Sequence, residues 1–462
     1  MKSETTHPAS FRDRSGFLFT ADGRLHRQVN TSYKQEYDLL IDSGLFQALR
    51  EKGYIIPHEE VETEQVGAVD AYKVLKPEPI EFISYPYEWS FSQLKDAALL
   101  TLEIQKIALD YGMSLKDASA FNIQFHRGRP ILIDTLSFET YRQGEPWVAY
   151  RQFCQHFLAP LALMAQVDVR LQKLLTGYID GIPIDLASRL LPYRTRLNFG
   201  ILTHIHLHAA SQRRFRDQEV KRSVARGEMN LTAMRGLVDS LGRTVEALEW
   251  KPEGTEWADY YTATHNYADQ SLRHKVSLVE SALDRIQPAE VWDLGANTGI
   301  FSRLASDREI PTISFDIDPG AVELNYRQSK ETEDEWRLPL LLDLTNPTPA
   351  IGWNNTERDA LLQRGPAEFV MALALIHHLA ISNNVPMHTL AAFFQELGKY
   401  LLIEFVPKSD PQVMRLLAFR EDIFDDYDQL TFEREFDLYF KQLQKDSIRG
   451  SDRTIYLYER KT

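Results

Sequence analysis

The sequence predicts an α/β protein in two parts, a doubly wound and mostly parallel sheet in the C-terminal half preceded by an α+β domain. Three observations support this fold class. From about residue 255, short apolar runs alternate with helical segments, which is typical of parallel strands joined by helices. Before that point, hairpin-like and helical segments follow one another without such alternation. With 462 residues, the chain is also too long for one ordinary hydrophobic core.

These observations predict three segments. Residues 1–210 form the α+β domain, residues 211–254 a charged helical connector, and residues 255–462 the doubly wound domain. In the first segment we expect a hairpin over 16–30, a helix over 31–52, strands over 71–77 and 81–87, a helix over 92–111, and a strand-turn-strand over 122–138. In the last segment we expect strands in EVWDLG, TISFDID, PLLLDL, EFVMALAL, YLLIEFV and RTIYLYER.

Composition argues against several classes of protein. The net charge of −14 argues against broad binding to nucleic acid phosphates, so no nucleic acid partner is expected. No run of about 18 apolar residues is present, so no membrane partner is expected. The first residues carry no signal-peptide pattern, and the single cysteine, Cys154, suits a reducing compartment. We therefore expect a cytoplasmic protein.

The stretch DLGANTG places a polar turn between the first strand of the doubly wound domain and the helix that follows. Gly295 and Gly299 allow the backbone to approach a ligand, because no Cβ intervenes. Asn297 is a residue type that tolerates a left-handed conformation. Asp293 ends the strand and can orient the loop or bind a cationic or hydroxyl group. Strand ends of such sheets are where ligands bind.

Two more carboxylates follow at the ends of the next two strands. Asp316 ends TISFDID, at a place where an acid can bind both ribose hydroxyls of a nucleotide. Asp343 closes PLLLDL and can accept from an adenine amino group. The three acids Asp293, Asp316 and Asp343 are expected to meet along one edge of the sheet.

This pattern resembles the class I S-adenosylmethionine-dependent methyltransferases, whose first motif is an acid followed by three spaced glycines. Here Asn297 replaces the middle glycine. The resemblance implies a Rossmann-like fold over residues 255–462, S-adenosyl-L-methionine as the cofactor, and Asp316 and Asp343 as ribose-side and adenine-side acids. The alternative is an NAD-type Rossmann fold, or one without a ligand.

Candidate catalytic residues follow the fourth and fifth strands. His377 and His378 come just after the fourth strand, and an imidazole can take a proton from a hydroxyl at neutral pH. Glu404 ends the fifth strand and is expected to face the same cleft. The alternatives are a histidine that only packs against the helix and a glutamate that only pairs with a Lys or Arg. A histidine base favours an oxygen acceptor over a nitrogen acceptor.

An aromatic segment precedes the sheet in EWADYYTATHNYADQ. In this family such flanking segments often cover the donor. Tyr260, Tyr261 and Tyr267 are therefore candidates for a cation–π contact with the sulfonium. The alternative is a helix that docks on the sheet.

A second polar site lies in SLKDASAFNIQFHRGRPILIDTLSF. Asp117, Asn122 and Asp134 have the order of the catalytic base and the two metal-binding residues of kinase-like folds. The resemblance implies a kinase-like N-terminal domain with ATP and Mg²⁺ as its ligands, and with Arg27 and its partner Glu36 in place of the usual Lys–Glu pair. The departures are Arg for Lys, Lys116 for the usual His, and Asp-Thr-Leu for Asp-Phe-Gly. A pseudokinase or a plain polar turn are the alternatives.

Over the whole chain, stretches such as ISYPYEWSFSQLKDAALL together with DLGANTG and ALALIHHL resemble the bacterial methyltransferase family that includes nodulation protein NoeA. The expected function is methyl transfer to the oxygen of a small-molecule or glycan acceptor. The alternatives are an ATP-using kinase-like protein and an inactive interaction protein. His204, His206 and His208 alternate in LTHIHLH, but the helical context argues against a metal site, and none is expected.

Overall fold

The computed structural model describes residues 5–62, 71–211, 229–252, 269–418 and 420–461. The chain divides into two compact units. Unit 1 comprises Met1–Trp250 together with Ile351–Arg358, and unit 2 comprises Lys251–Ala350 together with Asp359–Thr462. Within the described residues, no helix is long and apolar enough to cross a membrane.

A five-stranded sheet begins unit 1, with strand order β1-β2-β3-β5-β4 and antiparallel pairing throughout. Its strands are β1 (Thr5–Thr6), β2 (Gly16–Ala21), β3 (Arg24–Asn30), β4 (His58–Val61) and β5 (Ala71–Pro77). The predicted hairpin is confirmed as β2 and β3. Its two-residue turn uses Asp22 and Gly23, both with positive φ, which matches the twist of the flanking strands.

Two predictions for unit 1 differ from the structure. The helix predicted over 31–52 is divided into Lys34–Asp42 and Leu45–Glu51, because Gly44 adopts a φ of +86° between them. The strand predicted over 81–87 is wrong. That segment ends in a short 3₁₀ helix, Pro86–Glu88, and the Glu88 carboxylate accepts from the backbone N–H of Tyr85 at 3.0 Å.

The rest of unit 1 is mainly helical. Its longest helix, Phe91–Asp110, begins with a capping box in which Ser90 and Gln93 exchange hydrogen bonds. Small sheets pair β6 (Met113–Leu115) with β9 (Phe138–Thr140) and β7 (Ile123–His126) with β8 (Arg129–Leu132). The α-helices that follow are Tyr150–Phe153, Ala159–Gln166, Leu174–Gly177, Ile184–Leu190, Phe199–Ile201 and Leu231–Glu246, with π-helical turns at Cys154–Leu158 and Leu202–Leu207.

Unit 2 contains a seven-stranded sheet with strand order β12-β11-β10-β13-β14-β16-β15. The strands are β10 (Val291–Leu294), β11 (Thr312–Asp316), β12 (Arg337–Leu341), β13 (Ala367–Ala372), β14 (Gly398–Phe405), β15 (Phe440–Ser447) and β16 (Thr454–Arg460). Strands β10 to β14 pair in parallel, whereas β16 runs antiparallel to both β14 and β15. This confirms the doubly wound, mostly parallel sheet.

Helices connect these strands, and the central strands are buried. The α-helices of unit 2 are Asp269–Ile286, Ser302–Ser306, Pro319–Glu331, Met387–Leu397, Pro411–Leu417 and Gln429–Tyr439, with a π-helical turn at His378–Ser382. The strands β10 and β11 are buried along their whole length, as is expected for parallel strands covered on both faces. Because β10 is central, the loop after it lies where the strand order reverses, which is the usual ligand position in such sheets.

Candidate functional site

The loop after β10 is held against the end of β11 by backbone hydrogen bonds. The N–H groups of Gly295 and Ala296 both donate to the carbonyl of Phe315, at 2.8 and 2.9 Å. Gly295, Asn297 and Gly299 all have positive φ, at 75°, 51° and 78°. The predicted roles of these residues in shaping the turn are therefore consistent with its backbone conformation.

Asp316 links this loop to its own strand end. Its Oδ2 accepts from the backbone N–H of Asn297 at 2.8 Å, and its Oδ1 accepts from the backbone N–H of Asp318 at 2.8 Å. The carboxylate is 8% exposed, and burial raises its pKa to about 6. The Asp316 carboxylate thus joins the loop after β10 to the end of β11.

Asp293 lies beneath the same loop. It is 2% exposed and its Oδ2 accepts from the hydroxyl of Ser302 at 2.6 Å, so it fixes the start of the following helix. Burial raises the pKa of Asp293 to about 6, and the negative charge of Asp316 adds to the rise. The two acids are therefore close enough to interact electrostatically, as the sequence predicts.

The two glycines of the loop have different surroundings. A Cβ on Gly299 would lie 2.4 Å from the Oδ1 of Asn325 in the helix Pro319–Glu331, so this glycine allows close helix packing. A Cβ on Gly295 would meet only the Leu375 side chain, at 3.3 Å. Gly299 thus serves packing, and Gly295 lies on the side of the loop that faces the end of β13.

Of the other two predicted cofactor residues, only Asp343 lies within the described residues; it follows β12, and the backbone N–H of the preceding Leu342 donates to the carbonyl of Asp316 at 2.8 Å. Asp343 accepts from the backbone N–H and the hydroxyl of Thr345, at 2.9 and 2.6 Å, so it caps its own turn. Tyr261 lies outside the described residues, as do Tyr260 and Tyr267.

The two predicted histidines lie just after β13 and contact each other, with ring centroids 4.2 Å apart. His377 is 1% exposed and its Nδ1 has no hydrogen-bond partner among the described residues. Burial lowers the pKa of His377 well below its usual value, and burial lowers that of His378 to about 4. Both imidazoles are therefore neutral at physiological pH, and burial opposes their protonation.

Glu404 does not contact solvent and forms buried ion pairs instead. Its Oε2 accepts from Lys275 Nζ at 2.6 Å and its Oε1 from Arg453 at 3.3 Å. Arg453 also donates two bonds to Asp410, at 2.7 and 3.0 Å. All four side chains are at most 9% exposed. The expected substrate role of Glu404 is therefore replaced by its alternative, a structural pair with Lys and Arg.

The predicted N-terminal site also comes together in unit 1. Arg27 pairs with Asp134 at 2.6 Å, and the Ser137 hydroxyl donates to Asp134 at 2.5 Å. Asn122 donates to the same hydroxyl at 3.2 Å. Burial raises the pKa of Asp117, and the negative charge of Asp134 raises it further.

Arg27 does not use the partner that the kinase resemblance implies. Its ion pairs are with Asp134 and, at 3.3 Å, with Asp13, instead of with Glu36. Lys116, which stands where the usual His would be, donates to the Ser15 hydroxyl at 2.7 Å. Arg27, which was predicted to bind phosphate, therefore forms an ion pair with Asp134, which was predicted to bind a metal ion.

The three alternating histidines are bonded to hydroxyl groups or packed on rings. His204 bonds to Tyr150 and Ser240, at 3.0 and 2.9 Å, and His208 stacks on Tyr150. His206 bonds to the hydroxyls of Ser188 and Thr195, both at 2.9 Å. Two of these histidines thus connect helices of unit 1 through hydroxyl groups.

Comparisons with known proteins decide the family. No family model matches the chain. It is 35% identical to the nodulation protein NoeA of Rhizobium meliloti (strain 1021) over 457 residues, which is 98% of this chain and 95% of that protein. The chain belongs to the NoeA family.

Solved structures give weaker likenesses to this NoeA-family chain. The PH0226 protein of Pyrococcus horikoshii OT3 is 16% identical, with a TM-score of 0.31 over 44% of this chain and 99% of that one. The magnesium protoporphyrin IX methyltransferase ChlM of Synechocystis PCC 6803 with bound SAH is 17% identical, with a TM-score of 0.31 over 44% and 98%. The bifunctional kinase-methyltransferase WbdD is 14% identical, with a TM-score of 0.28 over 42% and 40%. Scores this low carry no inference about function.

Three residues near the site of this NoeA-family chain escape sequence reasoning. Lys275 lies among Leu272, Val276 and Val279 of one helix. A lysine at a helical position that faces the core could have indicated a buried charge with a partner. Arg453 gives no such signal, because its partners are distant in sequence. Ile317 is 55% exposed directly after Asp316, and an exposed isoleucine at a strand end is visible only in the structure.

Proposed function

We propose that unit 2 is an S-adenosylmethionine-dependent methyltransferase that acts on a hydroxyl oxygen of a small-molecule or sugar-like acceptor. The observation that carries the proposal is the junction at Asp316, where the glycine-containing loop after β10 meets the end of β11. That junction lies where doubly wound sheets bind nucleosides.

The donor fits the residues present. The carboxylate of Asp316 accepts from the backbone N–H groups of Asn297 and Asp318 and is also stabilised by that of Ile317, and since a carboxylate has about four acceptor sites, capacity remains for a ribose hydroxyl. The neighbouring Ile317 offers an exposed apolar side chain against which a flat base can pack. The buried acids Asp293 and Asp316 give this end of the sheet a negative potential that favours a cation.

The donor supplies an electrophilic methyl group on a positively charged sulfur. The chain offers His377 and His378 after β13; both are neutral at physiological pH and can accept a hydrogen bond from the acceptor hydroxyl, while burial makes them weak bases. As the acceptor oxygen took the methyl group and the methyl–sulfur bond broke to release S-adenosylhomocysteine, an imidazole nitrogen would accept the hydroxyl proton. His378 is the less buried of the two, so it is the histidine that the acceptor would reach. His377 is buried, its Nδ1 has no partner among the described residues, and its ring supports that of His378.

Titration calorimetry with S-adenosylmethionine and S-adenosylhomocysteine tests the proposal. We expect one site per chain, weakened at least about tenfold by Asp316→Ala. The exposed aspartate Asp426 provides the matched control, since Asp426→Ala should bind as the wild type does. Absence of binding heat with either ligand, in a folded wild-type chain, contradicts the proposal.

A second candidate function concerns unit 1, because Asp117, Asn122 and Asp134 converge there. The Ser137 hydroxyl accepts from Asn122 at 3.2 Å and donates to Asp134 at 2.5 Å. The sheet order and the helix after β3 also suit the kinase-like interpretation. Since Arg27 already neutralises Asp134, a metal ion would have to compete with it, which favours a nucleotide-binding pseudokinase over an active kinase.

A thermal-shift measurement with ATP, with and without Mg²⁺, tests this second candidate. We expect nucleotide to raise the melting temperature and Asp134→Ala to remove the Mg²⁺-dependent part. The exposed Asp110, whose carboxylate pairs with Arg235, gives a control variant, Asp110→Ala. If ATP leaves the melting temperature unchanged under both conditions, unit 1 does not bind nucleotide.

A further inference from the structure

A short stretch of unit 1 exposes large apolar side chains next to one another. Tyr193, Leu197 and Phe199 are exposed by 81%, 90% and 75%. Leu190 and Leu207, at the ends of neighbouring helical segments, are exposed by 42% and 56%. We call these five residues the apolar patch. Single exposed apolar residues are ordinary on protein surfaces, but a group of them marks an interaction surface.

The backbone that carries the apolar patch is firmly held from inside. Leu191, Thr195 and Ile201 alternate with the exposed residues and are at most 6% exposed. The His206 ring bonds to the Thr195 hydroxyl on one side and to the Ser188 hydroxyl on the other, both at 2.9 Å. The patch is therefore presented on a fixed scaffold, and its exposure reflects the fold of the segment.

Basic residues lie in the same stretch of sequence as the apolar patch. Residues 184–199 contain three arginines and one acid, in a chain whose net charge is −14. Arg189 is only loosely paired with that acid, Asp185, at 3.8 Å. Arg194 and Arg196 are exposed, and the Arg196 guanidinium lies 5.0 Å from the Tyr193 ring centroid. The surface thus combines apolar side chains with local positive charge.

We propose that the apolar patch and its three arginines dock unit 1 onto the surface of an anionic lipid membrane. Aliphatic and aromatic side chains can insert into the boundary between headgroups and acyl chains, while the arginines pair with lipid phosphates. Nucleic acid fits less well, because the exposed leucines have no ring with which to stack on bases. The expectation of no membrane partner rested on the absence of an apolar run long enough to span a membrane. It did not concern a surface such as the apolar patch, which is formed by residues that come together when the segment folds.

Vesicle co-sedimentation of the full chain tests the proposal. We expect binding to vesicles of phosphatidylcholine mixed with phosphatidylglycerol, and weaker binding to phosphatidylcholine alone or at high salt. Leu197→Ser with Phe199→Ser should weaken binding at least about tenfold, because both apolar contacts are lost. Arg194→Gln with Arg196→Gln should remove the preference for the anionic lipid.

The matched control is Leu430→Ser with Leu438→Ser in unit 2, which removes two leucines exposed by 79% and 64% and should leave vesicle binding unchanged. Three results overturn the proposal. The first is equal sedimentation of the wild type and the Leu197/Phe199 variant. The second is retention on RNA or DNA without vesicle binding. The third is a dimer, seen by light scattering, that the patch variant converts to a monomer while vesicles bind neither form.

Discussion

The backbone N–H of Asn297 donates to the carboxylate of Asp316 at 2.8 Å, which ties the loop after β10 to the end of β11. The same carboxylate accepts from Asp318 with its other oxygen. One side chain therefore sets the relative position of two segments that a nucleoside would contact. Replacing it should change ligand binding and local order together.

Asp316→Asn tests this relationship with nearly unchanged volume. An amide has only one acceptor atom, so its NH₂ group would face either the N–H of Asn297 or that of Asp318. We expect S-adenosylhomocysteine to bind at least about tenfold more weakly, by calorimetry, and the melting temperature to fall. Asp343→Asn is the comparison, because Asp343 caps only its own turn. A larger loss of affinity for Asp343→Asn than for Asp316→Asn would place the nucleoside elsewhere.

The two glycines of the loop should respond differently to alanine. Gly299→Ala brings a Cβ to 2.4 Å from Asn325 at a positive φ, so we expect destabilisation of about 2–4 kcal/mol in urea unfolding. Gly295→Ala meets only a flexible leucine at 3.3 Å, so about 1 kcal/mol of backbone strain is expected. Equal losses of stability in the two variants would contradict the separate roles assigned to these glycines.

The buried pair of Lys275 and Glu404 should show strong coupling. Lys275→Met leaves Glu404 buried with Arg453 alone, and removing one partner of a buried pair costs about 3–5 kcal/mol. Adding Glu404→Leu removes the orphaned charge, while Arg453 keeps its two bonds to Asp410. The double variant should therefore be more stable than Lys275→Met alone. Additive losses in a double-mutant cycle would show that the two side chains do not interact.

Sequence reasoning located most of the sheet of unit 2, because its five parallel strands are largely buried and appear as apolar runs. It missed β15, whose residues FKQLQKDS are mostly polar and lie at the sheet edge. It also misassigned 81–87 as a strand, although the bond from the backbone N–H of Tyr85 to the Glu88 carboxylate that closes the 3₁₀ turn is local in sequence. The apolar pattern therefore identifies the five parallel strands, including the edge strand β12, and fails for the polar edge strand β15.

For the candidate site, the sequence indicated residues that lie at strand ends but not what they contact. Asp293 and Asp316 were identifiable because each follows an apolar run directly. The pairing of Glu404 with Lys275 and Arg453 joins residues that are far apart in sequence, as does that of Arg27 with Asp134. Such long-range ion pairs leave no local pattern in the sequence. The ion-pair partners of Glu404 and Arg27 can therefore be identified only from the structure.

The raised pKa values of Asp293 and Asp316 predict opposite effects of pH on stability and on donor binding. Burial raises both to about 6, so the folded chain retains protons that the unfolded chain releases above about pH 4. Stability from these groups therefore falls as pH rises towards the folded-state values, by up to about 1.4 kcal/mol per pH unit for each group. Asp293→Asn keeps an acceptor for Ser302 and should remove its share of this slope in urea unfolding.

Donor binding should change in the other direction, because Asp316 must be ionised to accept from a ribose hydroxyl in addition to its backbone bonds. Affinity for S-adenosylhomocysteine should rise with pH through the folded-state pKa of about 6 and level off above about pH 7. Calorimetry across this range measures it, and Asp293→Asn serves as a control that leaves Asp316 in place. A binding affinity that is independent of pH from about pH 5 to about pH 8, in a folded chain, would mean that the Asp316 carboxylate takes no part in holding the ribose.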